Sequence, residues 1–162
     1  MNLKSIKIKN YRCFKDVEID FDNRVTLVVG KNGAGKTAIL DAVAVSVGTF
    51  LLGIDGGVGR SILKDDARYE FYDLEGTIDS QHQFPVEIES IGDCRKEENV
   101  KWVRSLNSEN GKTTIKDAVE LTSIAKKVQQ QIMKGYKTLI LPLISYYGTG
   151  RLYAQKKEKT RK

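Results

Sequence analysis

The fold this sequence predicts is an α/β domain built around a phosphate-binding loop, and three observations carry it. Residues 25–29 (VTLVV) form a short apolar, β-branched run, the pattern of a strand covered on both faces of a parallel sheet. That run breaks at Gly30 into the stretch GKNGAGKT, and apolar residues at helical spacing begin directly behind it. Farther along, 68–115 holds several short strand-like segments in succession, which argues for an antiparallel subsheet beside a central sheet.

Taken in order, 5–21 alternates, with Ile6, Ile8, Val17, Ile19 and Phe21 apolar, and reads as two strands joined across 10–16. Behind the glycine-rich stretch, Ile39, Leu40, Val43, Val47, Phe50 and Leu51 recur at helical spacing, and Gly53 is the expected stop. Residues 53–67 are glycine-rich, but no strand precedes Gly56-Gly57-Val58-Gly59, so the segment is read as a loop and not as a second phosphate site. Strands are expected over 69–78, 86–91, 100–106 and 113–115, with Asn110-Gly111 as a hairpin turn. A helix over 117–134 puts Val119, Leu121, Ile124, Val128, Ile132 and Met133 on one side and ends at Gly135. The continuous apolar run 139–147 is then a second central strand. The whole reads as one lobe over 1–155 followed by a basic tail over 156–162.

Composition excludes several classes. The 162 residues suffice for one domain with a real core. The most apolar segment, 41–54, is interrupted by Ser46, Gly48 and Thr49 and reads as too short to span a bilayer. The N-terminus lacks the continuous apolar core of a signal peptide. Two cysteines, Cys13 and Cys94, in no C-x-x-C spacing fit a reducing, cytoplasmic setting. With a single histidine, His82, no histidine–cysteine metal cluster can form. Net charge is +6, but 156–162 carries five basic residues and one acid, so +4 of it sits in the tail and the body is nearly balanced.

Gly30-Lys31-Asn32-Gly33-Ala34-Gly35-Lys36-Thr37 fits G-x-x-x-x-G-K-[ST], with an apolar strand pattern before it and a helix pattern after it. A phosphate chain must lie against backbone so that successive N–H groups can point at its oxygens. Gly30, Gly33 and Gly35 clear side chains from that approach and permit positive φ. The following helix offers unsatisfied N–H groups and the positive end of its dipole. Lys36 supplies a cation for the β- and γ-phosphates, and the Thr37 hydroxyl is the expected Mg²⁺ ligand. The expected ligands are therefore a nucleoside triphosphate, read as ATP, and Mg²⁺.

Kinases and small GTPases usually begin with the phosphate-loop strand. Here a two-stranded pattern precedes it, with Asn10-Tyr11-Arg12-Cys13-Phe14 in the connection. That opening, together with Asn32 in the loop, resembles the ATPase heads of the RecF and SMC class of ABC-type proteins. More narrowly, the opening and Tyr146-Tyr147-Gly148-Thr149-Gly150-Arg151 resemble bacterial ATP-binding proteins of the AAA family, relatives of which occur in phage defence. The resemblance is specific over 1–43, weaker over 139–151 and architectural between them. It implies that Arg12 reaches toward the nucleotide, the alternative being a surface arginine in a turn. It also implies a parent that dimerises with ATP sandwiched between heads and works on DNA or with an effector nuclease.

Such a head needs an apolar strand ending in Asp-Glu, a signature S-G-G-type helix, a glutamine loop and a downstream histidine. The late apolar run contains no carboxylate, and Gln155 lies at the edge of the basic tail. His82 is read as an exposed turn residue. The chain is therefore expected to be the N-terminal lobe of a longer ATPase, with no catalytic residue of its own. A GTPase-like switch is the alternative class. Asp73-Leu74-Glu75-Gly76 has the D-x-x-G form, but the strand before it alternates and no N-K-x-D motif exists, so the segment is read as a strand-end turn. A transporter ATPase subunit, with Tyr11 as an adenine platform, is the third.

Overall fold

The computed structural model describes residues 1–74, 77–136, 139 and 141–148. Strands β1 (Asn2–Tyr11), β2 (Phe14–Asp20), β5 (Val86–Cys94) and β6 (Glu97–Leu106) form one antiparallel sheet in the order β2-β1-β5-β6. Strands β3 (Tyr69–Leu74) and β4 (Thr77–His82) pair as a separate hairpin. Helix α1 (Lys36–Gly48) runs on through a 3₁₀ turn (Thr49–Gly53), and α2 (Val119–Met133) follows a shorter one (Lys116–Ala118).

The predicted opening hairpin forms, with Ile6 opposite Ile19 and Ile8 opposite Val17. Its connection is tighter than expected: Tyr11 pairs with Phe14, leaving only Arg12 and Cys13 in the turn. Period-two burial is clearest in β5, where Val86, Ile88, Ser90, Gly92 and Cys94 face inward. The outer face carries Lys9–Glu87 and Lys101–Glu89 ion pairs. Inside lie two apolar clusters. One joins Ile6, Ile8, Val86, Ile88 and Leu106 of the sheet to Ala38, Ala42 and Val45 of α1. The other sets Phe50, Val100 and Trp102 against Leu121, Ile124, Ala125 and Val128 of α2. The Trp102 indole N–H donates to the Ser46 carbonyl at 3.1 Å, tying β6 to the last turn of α1.

Several expectations need correction. Residues 25–29 form no strand and are not covered: Val25, Leu27 and Val29 are 77–81% exposed. A parallel strand exists only through ladder bonds to a neighbour, and no described residue runs beside this segment. Residues 141–148 also form no strand, although Ile144 packs against the second cluster; the predicted run 139–147 falls partly outside the described residues. The ordered sheets are thus antiparallel, and the central parallel sheet is not formed among them. The segment 69–78 is two strands, not one: β3 and β4 pair antiparallel with Leu74 opposite Thr77, and residues 75–76, half of the D-x-x-G stretch, lie outside the described set. Residues 113–115 form no strand, although the Thr114 N–H does bond the Ser105 carbonyl.

The face of α1 is also corrected. Ala38, Asp41, Ala42, Val45 and Ser46 are buried, whereas Leu40 is half exposed. A helix apolar all round offers no stripe from which to choose the inner face. In α2 the buried stripe is narrower than predicted: Val119, Ile132 and Met133 are exposed. Gly135 ends it as expected, at φ 82° with its N–H on the Ile132 carbonyl. His82 is no turn residue; it lies in β4 with its ring 4.0 Å from that of Tyr69. The helical run Lys36–Gly53 is apolar enough to cross a membrane by length and composition, and half of it is buried inside the fold as a core helix.

Candidate nucleotide site

The glycine-rich stretch lies where α1 begins. Gly33 and Gly35 have φ of 83° and 87° in the left-handed region, so of the three glycines expected to allow it these two do, and Gly30 does not. Gly35 is the N-cap of α1 and supplies no side-chain cap, so the first-turn N–H groups are left to an anion from outside. The Lys36 ammonium folds back over the loop and donates to the carbonyls of Gly30 and Lys31, each at 2.7 Å. The Ala34 N–H closes the loop on the Lys31 carbonyl at 3.2 Å. A cavity of about 430 Å³ opens there, lined by Arg12, Cys13, Asn32, Gly33, Gly35, Lys36, Thr37 and Ala38. Backbone donors, the two cations of Lys36 and Arg12 and one hydroxyl around a concave space form a donor set that fits a polyphosphate with its metal.

Arg12 enters this cavity from the turn between β1 and β2. Its backbone is left-handed, φ 50°, which is costly for a residue with a side chain. Three bonds hold it. Its N–H donates to the Asp66 carbonyl at 2.7 Å, its Nε–H to Asp66 Oδ1 at 2.8 Å, and its Nη1 to Asp41 Oδ2 at 2.5 Å. Burial works against the guanidinium charge, yet the bonds to Asp66 and Asp41 and the field of Tyr11 outweigh it, so the pKa lies above its ordinary value. The Tyr11 ring lies beneath, 5.3 Å from the guanidinium carbon. Burial first and the Asp66 charge second push the Tyr11 hydroxyl pKa up.

The sequence reading named the loop residues and Arg12, and the structure brings Arg12 to the same cavity as Asn32, Gly33, Gly35, Lys36 and Thr37. The reading missed Asp41 and Asp66, both buried, and Arg60, whose Nη1 reaches Asp41 Oδ1 at 2.9 Å. It quoted Tyr146 without a role; the Tyr146 hydroxyl donates to that same Asp41 oxygen. Arg151 and Gln155 lie outside the described residues. The glycines at 57 and 59 serve packing: a Cβ at Gly57 would stand 2.0 Å from the Leu51 carbonyl oxygen, and one at Gly59 2.8 Å from that of Gly48.

An uncapped helix start, a left-handed glycine loop and a lysine folded over it, on a mixed α/β body, define a P-loop nucleotide-binding domain. The AAA domain family matches residues 5–162, and the chain belongs to it. Over 44 residues it is 48% identical to the DNA double-strand break repair Rad50 ATPase of Archaeoglobus fulgidus, covering 27% of this chain and 5% of that protein. Over 90 residues it is 34% identical to the DNA replication and repair protein RecF of Bacteroides thetaiotaomicron, covering 54% and 23%. The match thus spans less than a quarter of the length of either relative. A solved structure from work on ATP-driven dimerization and DNA-stimulated activation of SMC ATPases aligns with 87% of each chain, at TM-score 0.46 and 19% identity.

Proposed function

We propose that this chain is the ATP-binding lobe of a RecF- and Rad50-like ATPase, with Mg-ATP seated on Gly30 to Thr37. The observation that supports it most is the uncapped start of α1 behind two left-handed glycines, with Lys36 over the loop. Lys36 would meet the β- and γ-phosphates and Thr37 would hold Mg²⁺, which supplies charge neutralisation at those oxygens. Arg12 would donate from the opposite wall of the cavity. The whole protein would dimerise through ATP-bound heads in the cytoplasm and act on DNA or with an effector; of these, work on DNA is what the names of the Rad50 and RecF relatives suggest. Hydrolysis is not expected of these residues alone, since the sequence offers no Asp-Glu pair ending an apolar strand.

Lys36→Ala tests the seat. The side chain lies at the loop surface, so its loss should abolish measurable ATP binding in calorimetry while leaving the unfolding curve in place. A charge-assisted phosphate contact is worth about 1.5–3 kcal/mol. Equal affinity in both proteins would overturn the assignment, and a GTP preference would move the reading to a GTPase-like switch.

A further inference from the structure

Arg12 is held by two carboxylates from two different elements: Asp41 from the second turn of α1, and Asp66 from a short 3₁₀ turn (Lys64–Asp66). We infer that Asp41 and Asp66 are positioning residues that aim the remaining edge of the Arg12 guanidinium at the phosphate seat; this rests on the nucleotide reading above. The geometry assigns each nitrogen. Nε is taken by Asp66 and Nη1 by Asp41, while Nη2 has no partner among the described residues and Arg12 lines the cavity beside Gly33, Gly35, Lys36 and Thr37.

Asp66 has its own support. Its Oδ2 accepts the Leu63 N–H at 3.0 Å, and its backbone carbonyl accepts the Arg12 N–H at 2.7 Å. Asp41 also takes Arg60 and the Tyr146 hydroxyl, which fills its second oxygen and fixes the first on Arg12. The left-handed backbone of Arg12 has the same meaning. An unfavourable conformation persists because the surroundings dictate it, and here they dictate where one guanidinium edge points.

Charge points the same way. Two arginines, Arg12 and Arg60, stand against two carboxylates, Asp41 and Asp66, so the cluster is neutral and offers little net attraction to a triphosphate. What Arg12 can add is a directed hydrogen bond, which depends on a planar fork held in place and not on a positive charge alone.

The test turns on a sign. By charge alone, Asp66→Asn removes a negative group beside an anion site and should tighten ATP. Positioning requires it to weaken ATP, by about tenfold, the size of one charge-assisted bond. ATP is titrated calorimetrically into the full chain, Asp66→Asn, Arg12→Gln, the double variant and Arg12→Lys, with Lys36→Ala alongside and thermal melts on each. The expected result is weakening in Asp66→Asn, no additional loss in the double variant over Arg12→Gln, and no rescue by Arg12→Lys. Should Asp66→Asn fail to fold, Arg12→Lys decides: it keeps the charge but cannot satisfy both carboxylates and still present a free N–H edge. Tighter or unchanged binding in Asp66→Asn, additive losses in the double variant, or wild-type affinity in Arg12→Lys would each overturn the inference. A parent chain that does not bind ATP at all would instead overturn the nucleotide reading beneath it.

Discussion

Gly33 and Gly35 have nearly the same left-handed backbone, but their surroundings differ. A Cβ at Gly33 would meet nothing within 4 Å. At Gly35 it would stand 2.5 Å from Phe14 Cζ and 2.7 Å from Cys13 Sγ. Alanine at either site bears the cost of an L-residue in the left-handed region, about 1–2 kcal/mol. At Gly35 it also forces the Phe14 ring aside, an overpacking cost of about 1–3 kcal/mol. Gly35 also accepts the Ile39 N–H at 3.0 Å, so a shift there disturbs the first turn of α1. The expected losses are therefore about 1–2 kcal/mol for Gly33→Ala and about 2–5 kcal/mol for Gly35→Ala. Urea unfolding reads them, with the single tryptophan as probe, because Trp102 is 1% exposed and must change environment on unfolding. Phe14→Leu together with Cys13→Ala removes both contacts and should close most of the gap between the two alanine variants. Equal losses at Gly33 and Gly35, or a gap that survives the Phe14→Leu, Cys13→Ala pair, would refute the idea that the β1–β2 turn packs under the phosphate loop.

Other outcomes follow from the same geometry. Arg104 is buried and, among the described residues, bonds neutral groups, the Thr114 carbonyl at 2.8 Å and the Thr49 hydroxyl at 3.1 Å; burial lowers its pKa. Arg104→Ala should cost about 3 kcal/mol or more through cavity and lost bonds, and Arg104→Met clearly less because it fills the volume and carries no desolvated charge; equal costs in chemical denaturation would contradict this. Asp93 has a lowered pKa, chiefly through its bond from Lys4 and then from the Asn99 N–H, so its contribution is full above the unfolded value near about 3.9 and is lost as pH falls through the folded one. Asp93→Asn should flatten the acid limb of the stability curve and leave its slope near neutrality unchanged. Deleting 156–162 removes +4 of the +6 charge and should reduce both the affinity for duplex DNA and its salt slope; an unchanged slope would locate binding on the folded body.

What could be read from sequence was whatever is encoded over short range. The phosphate loop is a fixed spacing, and the opening hairpin and β5 are alternations, so each element states itself within ten residues. The apolar run at 25–29, and 141–147 of the run 139–147, were misread because an apolar composition records a tendency to be covered, whereas a strand also needs a ladder partner that composition does not name. Asp41 and Asp66 were invisible for a related reason. The bond from Arg12 to Asp66 closes over 54 residues, and that from Tyr146 to Asp41 over 105. Nothing in the local spacing of a buried aspartate distinguishes it from a helix-surface one until the fold brings an arginine to it.

The uncovered apolar segment at 25–29 has a consequence for handling the protein. Val25, Leu27 and Val29 lie open, and Leu143, at 94% exposure, adds to the uncovered apolar surface. A β-branched run without proline, with its backbone donors and acceptors unpaired in any ladder, is a template for another copy of itself. Self-association of this chain should therefore start at 25–29, ahead of its phosphate loop, away from the charged outer face of the four-stranded sheet. An aspartate or lysine at Leu27 would be the smallest change that keeps concentrated solutions clear.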